Sequence, residues 1–112
     1  MIDIFKPING NYDEVVRECF KKNKNSCISF WLVGSYCYYL KNESLFKDET
    51  FDKLSKWMYD HYESLEHEHK SLVTKDMLKA GSGYNLKESD YPLRVKVTAD
   101  IFIRGMYEGK HS

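Results

Sequence analysis

Residues 36–54, YCYYLKNESLFKDETFDKL, hold the densest set of side chains able to do chemistry. Tyr38 and Tyr39 offer two adjacent aromatic rings with hydroxyls. Ten residues after Tyr38, Asp48 opens what reads as a helix, followed by Phe51 and Asp52. Carboxylates four residues apart fall on one side of a helix. In the first turn, Asp48 and Asp52 can therefore face a cation together or accept hydrogen bonds from hydroxyl and amide donors. Each of the five also has a purely structural role. Tyrosine buries its ring while its hydroxyl stays wet, which suits the end of a buried helix. Asp48 suits an N-cap, Phe51 fits an apolar stripe, and Asp52 is a first-turn acid favoured by the helix dipole.

Other constellations are poorer in chemistry. Glu66-His67-Glu68-His69, with His61 nearby, has the residue types of a metal site. On a helix, however, His67 and His69 point to different faces, so the run reads as a solvated helix end. Lys79-Ala80-Gly81-Ser82-Gly83-Tyr84 lacks the full phosphate-loop patterns. It reads as a flexible flap from which Lys79 and the backbone amides approach a ligand and Tyr84 adds a stacking face. Arg94 and Lys96 lie beyond it, where they can meet a phosphate or stay as ordinary surface charge. No Ser-His-Asp or Cys-His arrangement emerges from the spacing, and no residue is assigned a catalytic role. Cys19, Cys27 and Cys37, without a CxxC spacing and each among apolar neighbours, read as buried free thiols of a reducing compartment.

The elements that must hold these residues are mainly helical. Tyr12, Val15, Val16, Cys19 and Phe20 recur at helical spacing and run into the basic cluster Arg17 to Lys24, a helix end where cations are favoured. Cys27 to Leu40 is apolar almost all round and predicts a central buried helix. Phe51, Leu54, Trp57, Met58, Tyr62 and Leu65 form the stripe of a helix starting with Asp48 as N-cap and reaching about Glu66. Thr74 caps a short helix, KDMLKA, that Gly81 ends. Pro92 can open a last helix with Val95, Ala99, Phe102 and Met106 on one face. The β-branched residues at 95, 97, 98, 101 and 103 would also suit a strand. The expected fold is all-α in the main: a compact bundle of four to five helices around a central helical hairpin.

Bulk composition narrows the function classes. A chain of 112 residues predicts a single domain, 1–112, with one core. Seventeen basic residues offset seventeen acidic ones, so general attraction to nucleic acid or anionic membrane is not indicated. No basic segment followed by an apolar one marks the N-terminus as a leader, and no apolar run reaches bilayer length. Work in the cytoplasm is the expectation.

The 36–54 segment resembles a known pattern. Tyr38, Tyr39, Asp48, Phe51 and Asp52 look like the nicotinamide-mononucleotide-binding N-terminal (Ia) subdomain of bacterial NAD-dependent DNA ligases. There a Tyr followed by His or Tyr precedes an Asp-x-x-Tyr-Asp run without gaps. The resemblance covers about residues 30–70, a helical hairpin, and extends to small phage-encoded proteins that carry the segment by itself. It implies that the tyrosines stack on the oxidised nicotinamide, a flat cation drawn to an aromatic face by about 0.5–2 kcal/mol. It also implies that Asp48 and Asp52 face that cation or its carboxamide and ribose donors. Phe51 stands where the ligases have Tyr, and Asn42-Glu43-Ser44 where they have Asp-x-Pro. The Lys-x-Asp-Gly segment that accepts AMP in the ligases does not occur, so the expectation is binding without the ligase reaction.

Two functions follow as expectations. One is a non-enzymatic binder of NAD, nicotinamide mononucleotide or an ADP-ribose derivative, which the phage resemblance extends to a sponge for an NAD-derived host immune signal in the host cytoplasm. The other is a protein-interaction module, accessory to a separately encoded NAD-dependent ligase or inhibiting a host protein, with its aromatics as anchors. A degenerate nucleotide hydrolase is a third reading, tied to the loop around Gly81. A second copy of the chain is an expected partner, because small domains often complete a pocket that way.

Overall fold

A computed structural model describes residues 7 and 10–111; most of the N-terminal segment read for a leader lies outside them. The described residues form five α-helices joined by short 3₁₀ turns and irregular loops, and no strand occurs among them. They are α1 (Asp13–Lys22), α2 (Cys27–Leu40), α3 (Asp48–Asp60), α4 (Lys75–Ala80) and α5 (Leu93–His111). This is the expected all-α bundle.

α2 occupies the centre because its sequence leaves it no polar face. Every residue from Trp31 to Cys37 is buried, Ser29 is half-buried, and the last turn, Tyr38 to Leu40, is exposed. α5 packs along it most extensively, with α3 and α1 on its other sides. The strand alternative for residues 91–107 gives way to helix: Val95, Ala99, Phe102 and Met106 are all buried, a spacing only a helix turns to one side. Tyr12 ties the far ends of the chain together, its hydroxyl donating to the Phe102 carbonyl at 2.9 Å inside the core.

The α2–α3 connection is pinned at several points. Asn42 adopts the left-handed region at φ 55°, and the Glu43 N–H returns to the Cys37 carbonyl at 2.9 Å. Leu45 and Phe46 are buried, and the Leu45 carbonyl accepts from the Tyr12 N–H at 2.9 Å. The buried Asp13 carboxylate accepts from the Lys47 N–H at 3.1 Å. A loop fixed at both shoulders starts α3 at a defined place.

α3 departs from expectation at both ends. Lys47 is the N-cap and Asp48 the first helical residue, so the Asp48 carboxylate is not spent on capping. The α-helix stops at Asp60 instead of running to Glu66. His61 Nδ1 contacts the Trp57 carbonyl at 2.9 Å and its ring stacks on Trp57 at 4.2 Å. The Ser64 hydroxyl donates to the His61 carbonyl at 2.8 Å, satisfying a carbonyl that a continuing helix would have used. A 3₁₀ turn, Tyr62–Ser64, follows, and Leu65 stays buried through that bend.

α4 lies antiparallel along α3. The Lys75 ammonium at its start sits 4.8 Å from the Tyr59 ring centre and 3.7 Å from a Glu63 oxygen. Gly81 at its end approaches Asp52: a Cβ there would lie 3.6 Å from Asp52 Oδ1. The caps are those expected, Thr74 Oγ1 accepting from the Met77 N–H at 3.2 Å and Gly81 in the left-handed region at φ 67°.

Candidate functional site

The last turn of α2, the 44–46 loop, the first turns of α3 and the end of α4 enclose a pocket of about 280 Å³. Tyr38, Tyr39, Asp48, Phe51 and Asp52 all line it, together with Gly34, Ser35, Ser44, Leu45, Phe46 and Gly81. The five residues singled out from spacing thus meet around one concavity.

Each wall follows from local structure. Tyr38 and Tyr39 are 53% and 41% exposed, which excludes a core role for the pair. Their rings meet edge to face at 4.9 Å, and the Tyr39 hydroxyl is tied to Ser82 Oγ at 2.6 Å, leaving Tyr38 as the freer ring. Phe51 forms the floor and is itself held: its ring stacks on the fully buried Trp31 at 5.4 Å. Trp31 Nε1–H donates to Ser55 Oγ at 2.9 Å, and that hydroxyl donates to the Phe51 carbonyl at 2.9 Å. The floor is therefore an extension of the core.

Asp48 and Asp52 are exposed, and neither carboxylate makes a hydrogen bond or ion pair among the described residues. Among the described residues, no basic side chain lines the pocket. Its polar character is two uncompensated negative charges beside aromatic faces, an arrangement that attracts a planar cation.

Two small residues make the concavity possible. A Cβ on Gly34 would stand 2.7 Å from Phe46 Cε2, and one on Gly83 would stand 2.3 Å from Ser35 Oγ. Ser35 Oγ shares a hydrogen bond of 2.9 Å with the Tyr91 hydroxyl, and burial pushes the Tyr91 phenol above its ordinary pKa. Spacing alone did not reveal Gly34, Ser35, Ser44, Leu45 or Phe46 as pocket residues. The readable signal was a glycine and a serine interrupting an otherwise bulky apolar helix.

Three sequence expectations fall outside the pocket. Tyr84 is 66% exposed and is not among the lining residues, and its backbone N–H donates to Ser82 Oγ at 3.2 Å. Arg94 begins α5 and lies 3.6 Å from Glu68. Lys79 lies in a neighbouring cleft with Lys56, Tyr59, Asp60 and Leu78. Neither Tyr84 nor Arg94 is among the residues that line the pocket, whose edge on this side is formed by Gly81.

The histidine cluster also differs from expectation. Residues 65–69 are irregular instead of a helix end, and the His67 and His69 rings lie 5.5 Å apart. His67 Nδ1 accepts the His69 N–H at 3.0 Å, so Nε2 carries the ring proton and donates to Ser29 Oγ at 2.9 Å. Both ring nitrogens are committed, and no group of three ligands able to hold a metal occurs among the described residues.

Of the thiols, Cys27 and Cys37 are buried as expected, and desolvation pushes both up to about 12. Cys19 is only half-buried, because α1 leaves that side of its last turns partly uncovered. Among the described residues, no helix is long and apolar enough to cross a membrane. Comparison with family models, curated proteins and solved structures found no match to this chain.

Proposed function

We propose that this chain binds NAD or an NAD-derived nucleotide without turning it over, holding a nicotinamide ring in the pocket between the tyrosine pair and Phe51. The observation that carries the reading is the pair of unpartnered carboxylates, Asp48 and Asp52, in one small aromatic-walled concavity. A first-turn acid needs no pocket for its dipole gain, and an N-cap would use its carboxylate. Two acids facing a concavity beside exposed rings match the needs of a cationic ring with hydroxyl and amide donors. The ligase resemblance supports the same ligand, and the missing Lys-x-Asp-Gly segment is why binding and not nucleotidyl transfer is proposed. Sequestration of an NAD-derived immune signal is the purpose that the phage resemblance would add.

Size bears on the ligand. Pockets for drug-sized molecules span about 300–1,000 Å³. A volume of about 280 Å³ lies just below that range, and the ring end of the ligand is the part proposed to occupy it.

The test is calorimetric titration with NAD, nicotinamide mononucleotide, ADP-ribose and cyclic ADP-ribose, with Asp52→Ala as control. A charge-assisted contact is worth about 1.5–3 kcal/mol, so Asp52→Ala should weaken binding about 10- to 100-fold with the fold intact. Heats equal to dilution for all four ligands would sink the reading.

A second reading rests on a different surface. Leu93, Val97 and Ile101 lie four residues apart on α5 and are 75%, 49% and 37% exposed. Such a stripe favours a protein-interaction module, and a parent protein that binds no nucleotide but docks a ligase or host protein would bring it forward.

A further inference from the structure

We propose that the cleft between α3 and α4 adjoining the pocket is a phosphate subsite for the same ligand, with the Lys56 and Lys79 ammonium groups receiving the anion. This rests on the nucleotide reading above and extends it from a ring to the group attached to the ring.

The geometry comes from the antiparallel packing of α3 and α4. Asp52 lines the first pocket and Lys56 the second. They are four residues apart on one side of α3, about 6 Å along its axis. On the facing helix, Lys79 lines the second cleft while Gly81, two residues on, lines the first. Gly81 approaches Asp52 within the first pocket, where a Cβ would lie 3.6 Å from Asp52 Oδ1, so each helix passes from one concavity to the other over a few residues. A ribose places its 5′-phosphate on the order of one helical turn from the base, the step from Asp52 to Lys56.

Charge follows the same order. The first pocket carries two carboxylates and, among the described residues, no base. The second carries two lysines, a tyrosine ring and one carboxylate, Asp60. Lys56 lies four residues from both Asp52 and Asp60, the spacing of a helix ion pair, yet neither Lys56 nor Lys79 makes an ion pair among the described residues. Lys75, the next cation along α4, differs in being held by Glu63 and the Tyr59 ring. The cleft is about 280 Å³ and open, with room for a phosphate and its hydration.

A negative-to-positive sequence of subsites selects a ligand that is cationic at one end and anionic one sugar away. Nicotinamide mononucleotide has that polarity. Nicotinamide riboside has only its first half, and adenosine monophosphate only the second.

The experiment compares nicotinamide riboside with nicotinamide mononucleotide on the parent protein and on Lys56→Ala/Lys79→Ala, at low and moderate salt. Two exposed cation–phosphate contacts predict that the mononucleotide binds the parent about tenfold tighter than the riboside, and that salt erodes this margin. In the double variant the two ligands should bind equally, with the riboside affinity unchanged. Lys56→Arg/Lys79→Arg should restore the preference. Equal binding of both ligands by the parent overturns the subsite and leaves the ring pocket standing, as does a preference that survives the double alanine variant. No binding of either ligand overturns the nucleotide reading and this one with it.

Discussion

Replacing Gly83 by alanine would drive a methyl group into the wall of the pocket. The added Cβ would lie 2.3 Å from Ser35 Oγ, 3.3 Å from Ser35 Cβ and 3.1 Å from Trp31 Cη2. Trp31 is fully buried and anchored through Nε1 to Ser55, so it has little room to yield. Ser35 Oγ must therefore swing away, breaking its bond to the Tyr91 hydroxyl, or the 81–86 loop must lift. Overpacking of this kind costs about 1–3 kcal/mol, and losing the hydroxyl pair adds about 1 kcal/mol. We expect a loss of about 2–3 kcal/mol, which for a domain of this size lowers Tm by roughly 8–12 °C. Thermal melts followed by circular dichroism would measure it. Adding Ser35→Ala removes the closest clashing atom, so the double variant should be at least about 1 kcal/mol more stable than the sum of the single effects. A Gly83→Ala Tm within about 2 °C of the parent, or strict additivity in the double variant, would refute this account of the wall.

Two further outcomes are expected. Burial first, and then His69, hold the His67 imidazole below its ordinary value of 6.5, so the folded state prefers it neutral. Its stabilising share is complete above pH 6.5 and is lost as pH falls through the lowered value; the melting temperature should drop over that interval, and His67→Gln should flatten the drop. A fall of unchanged size in the variant would clear His67 of the role. Thiol labelling near pH 8 should modify Cys19 alone in the native protein, because Cys27 and Cys37 are buried with thiols pushed up to about 12. Mass spectrometry should count one adduct before denaturation and three after it, and rapid native modification of a second thiol would contradict the packing of α2.

Helix patterns were legible where an apolar stripe had a single interpretation. α2 lacks a polar face, α4 carries both its caps in sequence, and the 95, 99, 102, 106 spacing outweighed the β-branched content of α5. The end of α3 was misread because Tyr62 and Leu65 continue its stripe in sequence. A 3₁₀ turn followed by extended backbone packs them without further α-helix, and side-chain bonds from His61 and Ser64 decide that outcome. One side of the pocket was legible, since Tyr38, Tyr39, Asp48, Phe51 and Asp52 come from a single hairpin. Its other walls depend on close approaches, Gly34 against Phe46 within the hairpin and Gly83 against Ser35 from a distant segment, which local spacing does not encode. The same limit applies to Tyr84, expected on a flap, and to Arg94, expected beyond it: sequence order does not say which of these side chains line the pocket, and neither does.

The five pocket residues do not bear equally on function. Phe51 is explained by the core, since its ring covers Trp31, and Tyr39 is partly explained by its bond to Ser82. Substituting either would disturb packing as well as any ligand, and loss of binding would carry little information. Asp48 and Asp52 differ. Of the two only Asp48 lies in the first turn, where its dipole gain is about 0.3–1 kcal/mol, offset in part by about 0.2–0.5 kcal/mol of repulsion with Asp52 at i, i+4 spacing. The fold thus gains little from their carboxylates, and neither anchors another segment through a hydrogen bond or ion pair among the described residues. Removing one leaves the bundle nearly as stable while taking away half of the pocket's negative charge. A binding defect at Asp52 with an unchanged melting temperature therefore separates a ligand site from a structural motif more sharply than any aromatic substitution in the same pocket.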